Sequence, residues 1–125
     1  MKKMVSLSLL VASFSILFAS SQATEELAVK KCGECHLMGV VSAEKLKNMK
    51  APPYWAIAKK AREAYETKED KIKYIVDYAL NPSEEKMLFP KETKVKFGVM
   101  PSQKGKITED ESREIAEYII EEKSF

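Results

Sequence analysis

The chain has 125 residues, 45% of them hydrophobic, with 21 basic against 19 acidic side chains and a formal net charge of +2. That length allows one domain with a small core. So slight a charge excludes an evident nucleic-acid binder, and equally a protein held to membrane surfaces by bulk electrostatics.

The first 23 residues read as a segment apart. Lys2 and Lys3 precede an apolar run from Val5 to Ala19 broken only by serines, and Ser21-Gln22-Ala23 gives a small-x-small pattern. This is the layout of a secretory signal peptide over residues 1–23, followed by one domain over residues 24–125 and a periplasmic destination. The alternative is a retained membrane anchor, since flanking lysines and a short apolar run also suit a single weak span. A lipid anchor at the cleavage point has no cysteine to use, because the first one, Cys32, lies well past it. Loss of Lys2 and Lys3 leaves 19 basic and 19 acidic residues, so the mature chain is neutral and is not an evident binder of nucleic acid or of a membrane surface.

Beyond the leader the apolar spacing is helical throughout, and no alternating strand pattern survives; an all-α fold of about four helices is expected. Thr24 is placed as the cap of the first helix, with Glu25 and Glu26 suiting the positive end of its dipole. The second begins in APPYWAIAKKAREAYE, with Pro53 at the first helical position and Tyr54, Ile57, Ala58, Ala61 and Tyr65 along one face. The third follows Thr67, with Asp70 completing an approximate capping box, and carries Ile72, Ile75, Val76, Ala79 and Leu80 on one stripe. Asn81-Pro82 stops it. The fourth opens at Thr108, where Glu111 completes a T-x-x-E box, and Ile115, Tyr118 and Ile119 form its buried seam.

Between the third and fourth helices, NPSEEKMLFPKETKVKFGVMPSQKGKI shows no convincing periodicity. A segment that long inside a small domain is either disordered or organised around something it binds. Met87, Leu88, Phe89, Val95, Phe97, Val99 and Met100 argue against disorder. The expectation is a long loop that wraps a ligand.

The stretch KKCGECHLMG, residues 30–39, holds both cysteines, Cys32 and Cys35, and the only histidine, His36. A redox-active disulfide between the cysteines would belong at a strand-to-helix junction, which this chain does not offer. Zinc would need a fourth ligand, and Cys35 and His36 are immediate neighbours with no further Cys or His to help. A covalent c-type haem uses each of the three residues once. The two thiols add to the two vinyl groups, and the adjacent imidazole reaches the iron from one face. Export agrees with this reading, since bacteria attach such haem outside the cytoplasm.

With His36 spent, the second axial ligand from this chain cannot be histidine, which leaves methionine, lysine, a weaker group or none. After the leader, Met38, Met49, Met87 and Met100 remain. Met38 is too near His36 to reach the opposite face of the ring, and Met49 sits in a lysine-rich connector, KLKNMKAPP. Met100 is the expected ligand: Pro101 biases it toward an extended backbone, and Gly98 allows close approach of backbone to ring. Met87, in SEEKMLF, stays the alternative ligand, with core filling as its other role. A thioether ligand raises the reduction potential, as suits an electron carrier.

The order of these features resembles the class I cytochromes c over essentially all of residues 24–125: a first helix ending in Cys32-x-x-Cys35-His36, a proline after it, middle helices, a Met-Pro ligand loop and a C-terminal helix. The resemblance implies a helical bundle wrapped around one covalent haem, with first and last helices crossing, which gives Tyr118 and Ile119 a packing role. It also implies a proline whose carbonyl faces the ring N–H of the proximal histidine, and Pro52 matches that position. Such a partner fixes the orientation and basicity of an imidazole ligand. Trp55 is expected to pack in the core, the alternative being an indole donor to a haem propionate. The loop around Met100 departs from small bacterial members in being lysine-rich where they place several glycines and prolines.

A haem held by His36 and Met100 leaves no open position, so the expected function is single-electron transfer, not enzymatic catalysis or small-molecule binding. The carboxylates sit at spacings of solvated helix faces, and no histidine is left over as a general base. Residues 86–106 carry six lysines against Glu92 alone, whereas residues 108–123 carry seven acidic residues against Arg113 and Lys123. That asymmetry points to redox partners with acidic docking surfaces. Two further readings are a haem-based gas sensor and a non-catalytic haem subunit of a periplasmic redox enzyme, such as a sulfur-oxidising complex.

Overall fold

Three helices of this chain start where a hydroxyl, of Ser42, Thr67 or Thr108, reaches back to a free N–H group. The computed structural model describes residues 22–121. Residues 1–21, and with them most of the expected leader, lie outside the described residues, as do residues 122–125. Among the described residues the first helix, α1, covers 22–32. Gln22 and Ala23 are already helical, so Thr24 is not the cap that its residue type suggested.

Helix α2 (Ala43–Asn48) opens with the Ser42 hydroxyl accepting from the Lys45 N–H at 3.2 Å. It was expected to be connector. None of its residues is buried, and a helix that buries no face leaves no apolar period to read. Helix α3 (Tyr54–Ala64) is preceded by Pro53 as N-cap, with extended backbone at φ −68° and ψ 158°. The extended ψ of Pro53 makes the helix begin one residue later than expected, and the Tyr54 N–H, free as any first helical N–H is, donates to the Leu37 carbonyl at 3.2 Å. Helix α4 (Lys68–Leu80) is capped by the Thr67 hydroxyl, which accepts from the Asp70 N–H at 3.1 Å, and ends at Asn81 as expected.

The segment expected to be one long loop contains a 3-10 turn (Glu84–Lys86) and helix α5 (Lys91–Phe97). Helix α5 also buries no residue, and Val95 on it is 78% exposed, which explains the missing periodicity. Gly98 ends it at φ 72°, with its N–H on the Lys94 carbonyl at 2.8 Å. With ψ at −169° this is backbone that essentially only glycine adopts, so glycine here stops the helix. Nothing lies within 4 Å of where a Gly98 Cβ would stand. Helix α6 (Glu109–Glu121) has a complete capping box. The Thr108 N–H donates to Glu111 Oε1 at 3.0 Å, and the Glu111 N–H donates to Thr108 Oγ1 at 3.1 Å.

The described residues are thus all-α, with six α-helices, where about four were expected, and no strand beyond an isolated bridge between Lys104 and Ile107. Helices α3, α4 and α6 contact one another, and α1 joins the same core through Ala28. Ile72 and Ile75 of α4 meet Ile115, Ala116 and Ile119 of α6 in that cluster, with Tyr54, Ala58 and Ala61 from α3. Burying each large aliphatic side chain of this set contributes about 1.5–3 kcal/mol. Across the outer edge of the α4–α6 pair, Lys68 bridges Glu117 and Glu121, and Arg113 meets Glu69. These pairs are half-exposed and add little stability.

The apolar residues of the long segment stand outside this core. Met87, Leu88, Phe89, Phe97 and Met100 are only half-buried, Val95 and Val99 are exposed, and none belongs to the buried cluster.

Candidate functional site

The chain keeps turning after α1 ends. The Gly33 N–H donates to the Val29 carbonyl at 2.9 Å, the Cys35 N–H to the Cys32 carbonyl at 3.3 Å, and the His36 N–H to the same Cys32 carbonyl at 2.9 Å. Cys32, Cys35 and His36 therefore share one turn at the end of α1. A Cβ on Gly33 would lie 2.3 Å from the Val29 carbonyl oxygen, so no larger residue fits at position 33 without moving backbone.

The other side of the turn is tied to the approach to α3. The Lys50 N–H donates to the Cys35 carbonyl at 2.9 Å, and the Tyr54 N–H donates to Leu37. These two bonds bring Pro52 alongside His36, whose Nδ1 lies 2.6 Å from the Pro52 carbonyl oxygen. A carbonyl can only accept, so Nδ1 carries the proton. In the neutral ring Nε2 then keeps its lone pair for a ligand bond. Burial lowers the pKa of His36 below its ordinary value, and the Pro52 carbonyl opposes part of that shift.

The two thiols are free and unlike each other. Cys32 is half-buried against the core, and burial, with the neighbouring Cys35 second, pushes its pKa up to about 11. Cys35 is exposed. Among the described residues no group of three or more His, Cys, Asp or Glu side chains is arranged to hold a metal ion.

Met100 is positioned by a different element. It lies half-buried in irregular backbone after α5. Two residues on, the Ser102 hydroxyl donates to the Leu80 carbonyl at 2.7 Å and the Gln103 N–H donates to the Ala79 carbonyl at 2.9 Å, both at the C-terminal end of α4. Met87 follows the 3-10 turn and is also half-buried. The carbonyl before it, of Lys86, accepts from the Tyr74 hydroxyl at 2.8 Å. The Tyr74 hydroxyl is pushed up to about 12 by burial and the neighbouring Tyr78, so it stays a donor. Met38 is 2% exposed within the core, and Met49 caps the end of α2. Trp55 packs on the core, edge to face with Tyr54 at 5.3 Å between ring centroids.

The structure thus joins Pro52 to His36 and sets both cysteines on the same turn, while Met100 is held from the end of α4. Ser102, Gln103 and Tyr74 had no motif to mark them in the sequence. The one available signal was negative: α4 ends at Asn81-Pro82 with no glycine to close its last carbonyls. Of the lysines in residues 86–106, Lys86 pairs with Asp77 at 2.9 Å, Lys94 reaches the Glu84 carbonyl at 3.4 Å and Lys96 lies over the Phe97 ring. Among the described residues no helix is long and apolar enough to cross a membrane.

The chain is similar to an "Uncharacterized protein" of Aquifex aeolicus (strain VF5), 28% identical over 131 residues that cover 94% of this chain and 85% of that protein. No protein-family model matches the chain. No solved structure matches it either.

Proposed function

We propose that this chain is a small exported electron carrier of the class I cytochrome c type, holding one covalent haem c through Cys32 and Cys35, with His36 and Met100 as axial ligands. The observation that carries the reading is the 2.6 Å contact from His36 Nδ1 to the Pro52 carbonyl, on the same turn as two free thiols. A histidine held this way is fixed in tautomer and ring orientation, as metal-binding imidazoles are. The residues also offer apolar surface of the kind such a group needs. Between Met87 and Met100 the chain carries five half-buried apolar side chains that its own core does not take up.

Bound there, haem c supplies a one-electron ferric/ferrous couple. The protein's part is to hold and tune it. Cys32 and Cys35 would anchor it to the end of α1 and the turn that follows, and Pro52 keeps the His36 ring aligned and raises its basicity. Met100 would supply the second iron ligand and so keep exogenous ligands away. Partners are redox proteins with acidic surfaces, met by the lysines of residues 86–106, and the working compartment is the periplasm. No residue of the site serves as acid, base or nucleophile toward a substrate.

The test is to express the full chain in a host that attaches haem outside the cytoplasm, and to measure the mass and the redox behaviour of the product. The reading expects one haem per chain, lost when Cys32 and Cys35 are both replaced, with reversible one-electron cycling and no carbon monoxide uptake by the reduced protein at neutral pH. A product without covalent haem would overturn it. Immediate carbon monoxide uptake would put a gas-binding role in its place.

A further inference from the structure

An α-helix leaves its last four carbonyls without intrahelical partners, and a glycine in the left-handed conformation usually closes them. Helix α4 ends without one. Its C-cap, Asn81, sits at φ −132°, and its N–H satisfies only the Asp77 carbonyl, at 2.7 Å. The carbonyls of Ala79 and Leu80 are closed from far along the chain, by the Gln103 N–H at 2.9 Å and the Ser102 hydroxyl at 2.7 Å. The Ser102 oxygen also accepts from the Lys104 N–H at 3.3 Å, and the Gln103 side chain donates to the Pro101 carbonyl at 2.8 Å. Residues 101–104 thus form a small hydrogen-bonded plug on the end of α4.

Met100 is the residue before this plug, joined to Ser102 only through Pro101. Proline fixes its own φ near −65° and restricts the backbone of the residue before it, so few soft dihedrals separate Met100 from Ser102. Upstream support is thinner. Helix α5 buries no residue, and Val99, beside Met100, is 44% exposed. The backbone of Met100 is therefore held mainly from its C-terminal side.

We infer that Ser102 is a positioning residue for Met100: by capping α4 through the Leu80 carbonyl, it keeps the methionine in place and slows its replacement by outside ligands. This rests on the proposed reading that Met100 is an axial ligand. Removing the Ser102 hydroxyl leaves the Leu80 carbonyl without that donor and frees the segment that carries the methionine. The shared Lys104 N–H contact is lost with it, which loosens the plug further.

The test uses the haem-loaded full chain and reads the affinity of the ferric form for imidazole, which competes with the methionine, beside the thermal midpoint. Ser102→Ala is expected to bind imidazole about fivefold more tightly than the wild type, the factor that one net hydrogen bond commands. Ser102→Thr, which keeps the hydroxyl, restores the wild-type affinity. Gln103→Pro, which deletes the neighbouring N–H donor, moves affinity in the same direction as Ser102→Ala and serves if that variant fails to fold. Thr108→Ala lowers overall stability by removing the α6 cap and leaves imidazole affinity unchanged. The inference is overturned if Ser102→Ala binds imidazole like the wild type, if Thr108→Ala shows the same gain, or if Met87 proves to be the ligand. A wild-type chain that carries no covalent haem defeats the functional reading itself, and this inference with it.

Discussion

Nδ1 of His36 and the carbonyl oxygen of Pro52 lie 2.6 Å apart, although 16 positions separate them in the chain. Any backbone carbonyl could accept this proton. What Pro52 adds is a fixed φ that holds its segment in line beside His36. Pro52→Ala keeps the acceptor and relaxes the backbone, so it is expected to lower stability by about 1 kcal/mol through the entropy of the unfolded chain. Urea denaturation of the two proteins checks this, with the denaturant slope unchanged between them. A loss several times larger would mean that the ring of Pro52 is packed in a way its backbone role does not explain.

Gly33 has no room for a side chain, because its Cβ would stand 2.3 Å from the Val29 carbonyl oxygen. That oxygen is backbone in the last turn of α1 and also accepts the Gly33 N–H, so it cannot swing aside. Gly33→Ala is expected to distort the turn that sets the spacing of Cys32, Cys35 and His36, at a cost of about 1–3 kcal/mol. The yield of covalently loaded protein and its thermal midpoint should both fall. The neighbouring exposed substitution Glu34→Ala should leave both near the wild type.

The capping box at the start of α6 makes a pH prediction. The Thr108 N–H holds the Glu111 carboxyl below its ordinary value of 4.5. A carboxyl depressed in the fold binds protons more readily when unfolded. Its contribution is therefore full above the unfolded pKa and lost as pH falls through and below it. Glu111→Gln should be less stable than the wild type at neutral pH, with the gap closing between about pH 5 and pH 3. Acid titrations of both, followed by circular dichroism, measure that gap. A gap constant with pH would assign Glu111 a role independent of its charge.

How far the sequence alone reached can be seen residue by residue. The caps at Thr67 and Thr108 and the stop at Asn81 were legible because a cap is a local device, read within four residues. Helices α2 and α5 were not, since neither buries a residue and hydrophobic periodicity had nothing to record. The partner of His36 came from a resemblance and a position two residues before Tyr54, and the structure has that hydrogen bond. Ser102 was out of reach. Its contact with Leu80 spans 22 positions and meets a backbone carbonyl, which carries no residue identity to read.

Docking by charge predicts a salt-dependent rate. Raising ionic strength from about 0.01 M to about 0.15 M shortens the screening length from about 30 Å to about 8 Å. Electron transfer to an acidic redox protein should slow over that range, and Lys91→Glu together with Lys104→Glu should slow it further at low salt. Stopped-flow kinetics at several salt concentrations measure both effects. A rate indifferent to salt and to these charge reversals would leave the lysines a solvating role only.

The central claim is that Met100 and His36 together close an iron site attached through Cys32 and Cys35. The ferric absorption spectrum of the haem-loaded protein tests it most directly, through the weak sulfur-to-iron charge-transfer band. The account predicts a low-spin spectrum with that band in the wild type, its loss in Met100→Leu and its retention in Met87→Leu. A high-spin ferric spectrum in the wild type, or a band that survives Met100→Leu, would contradict it.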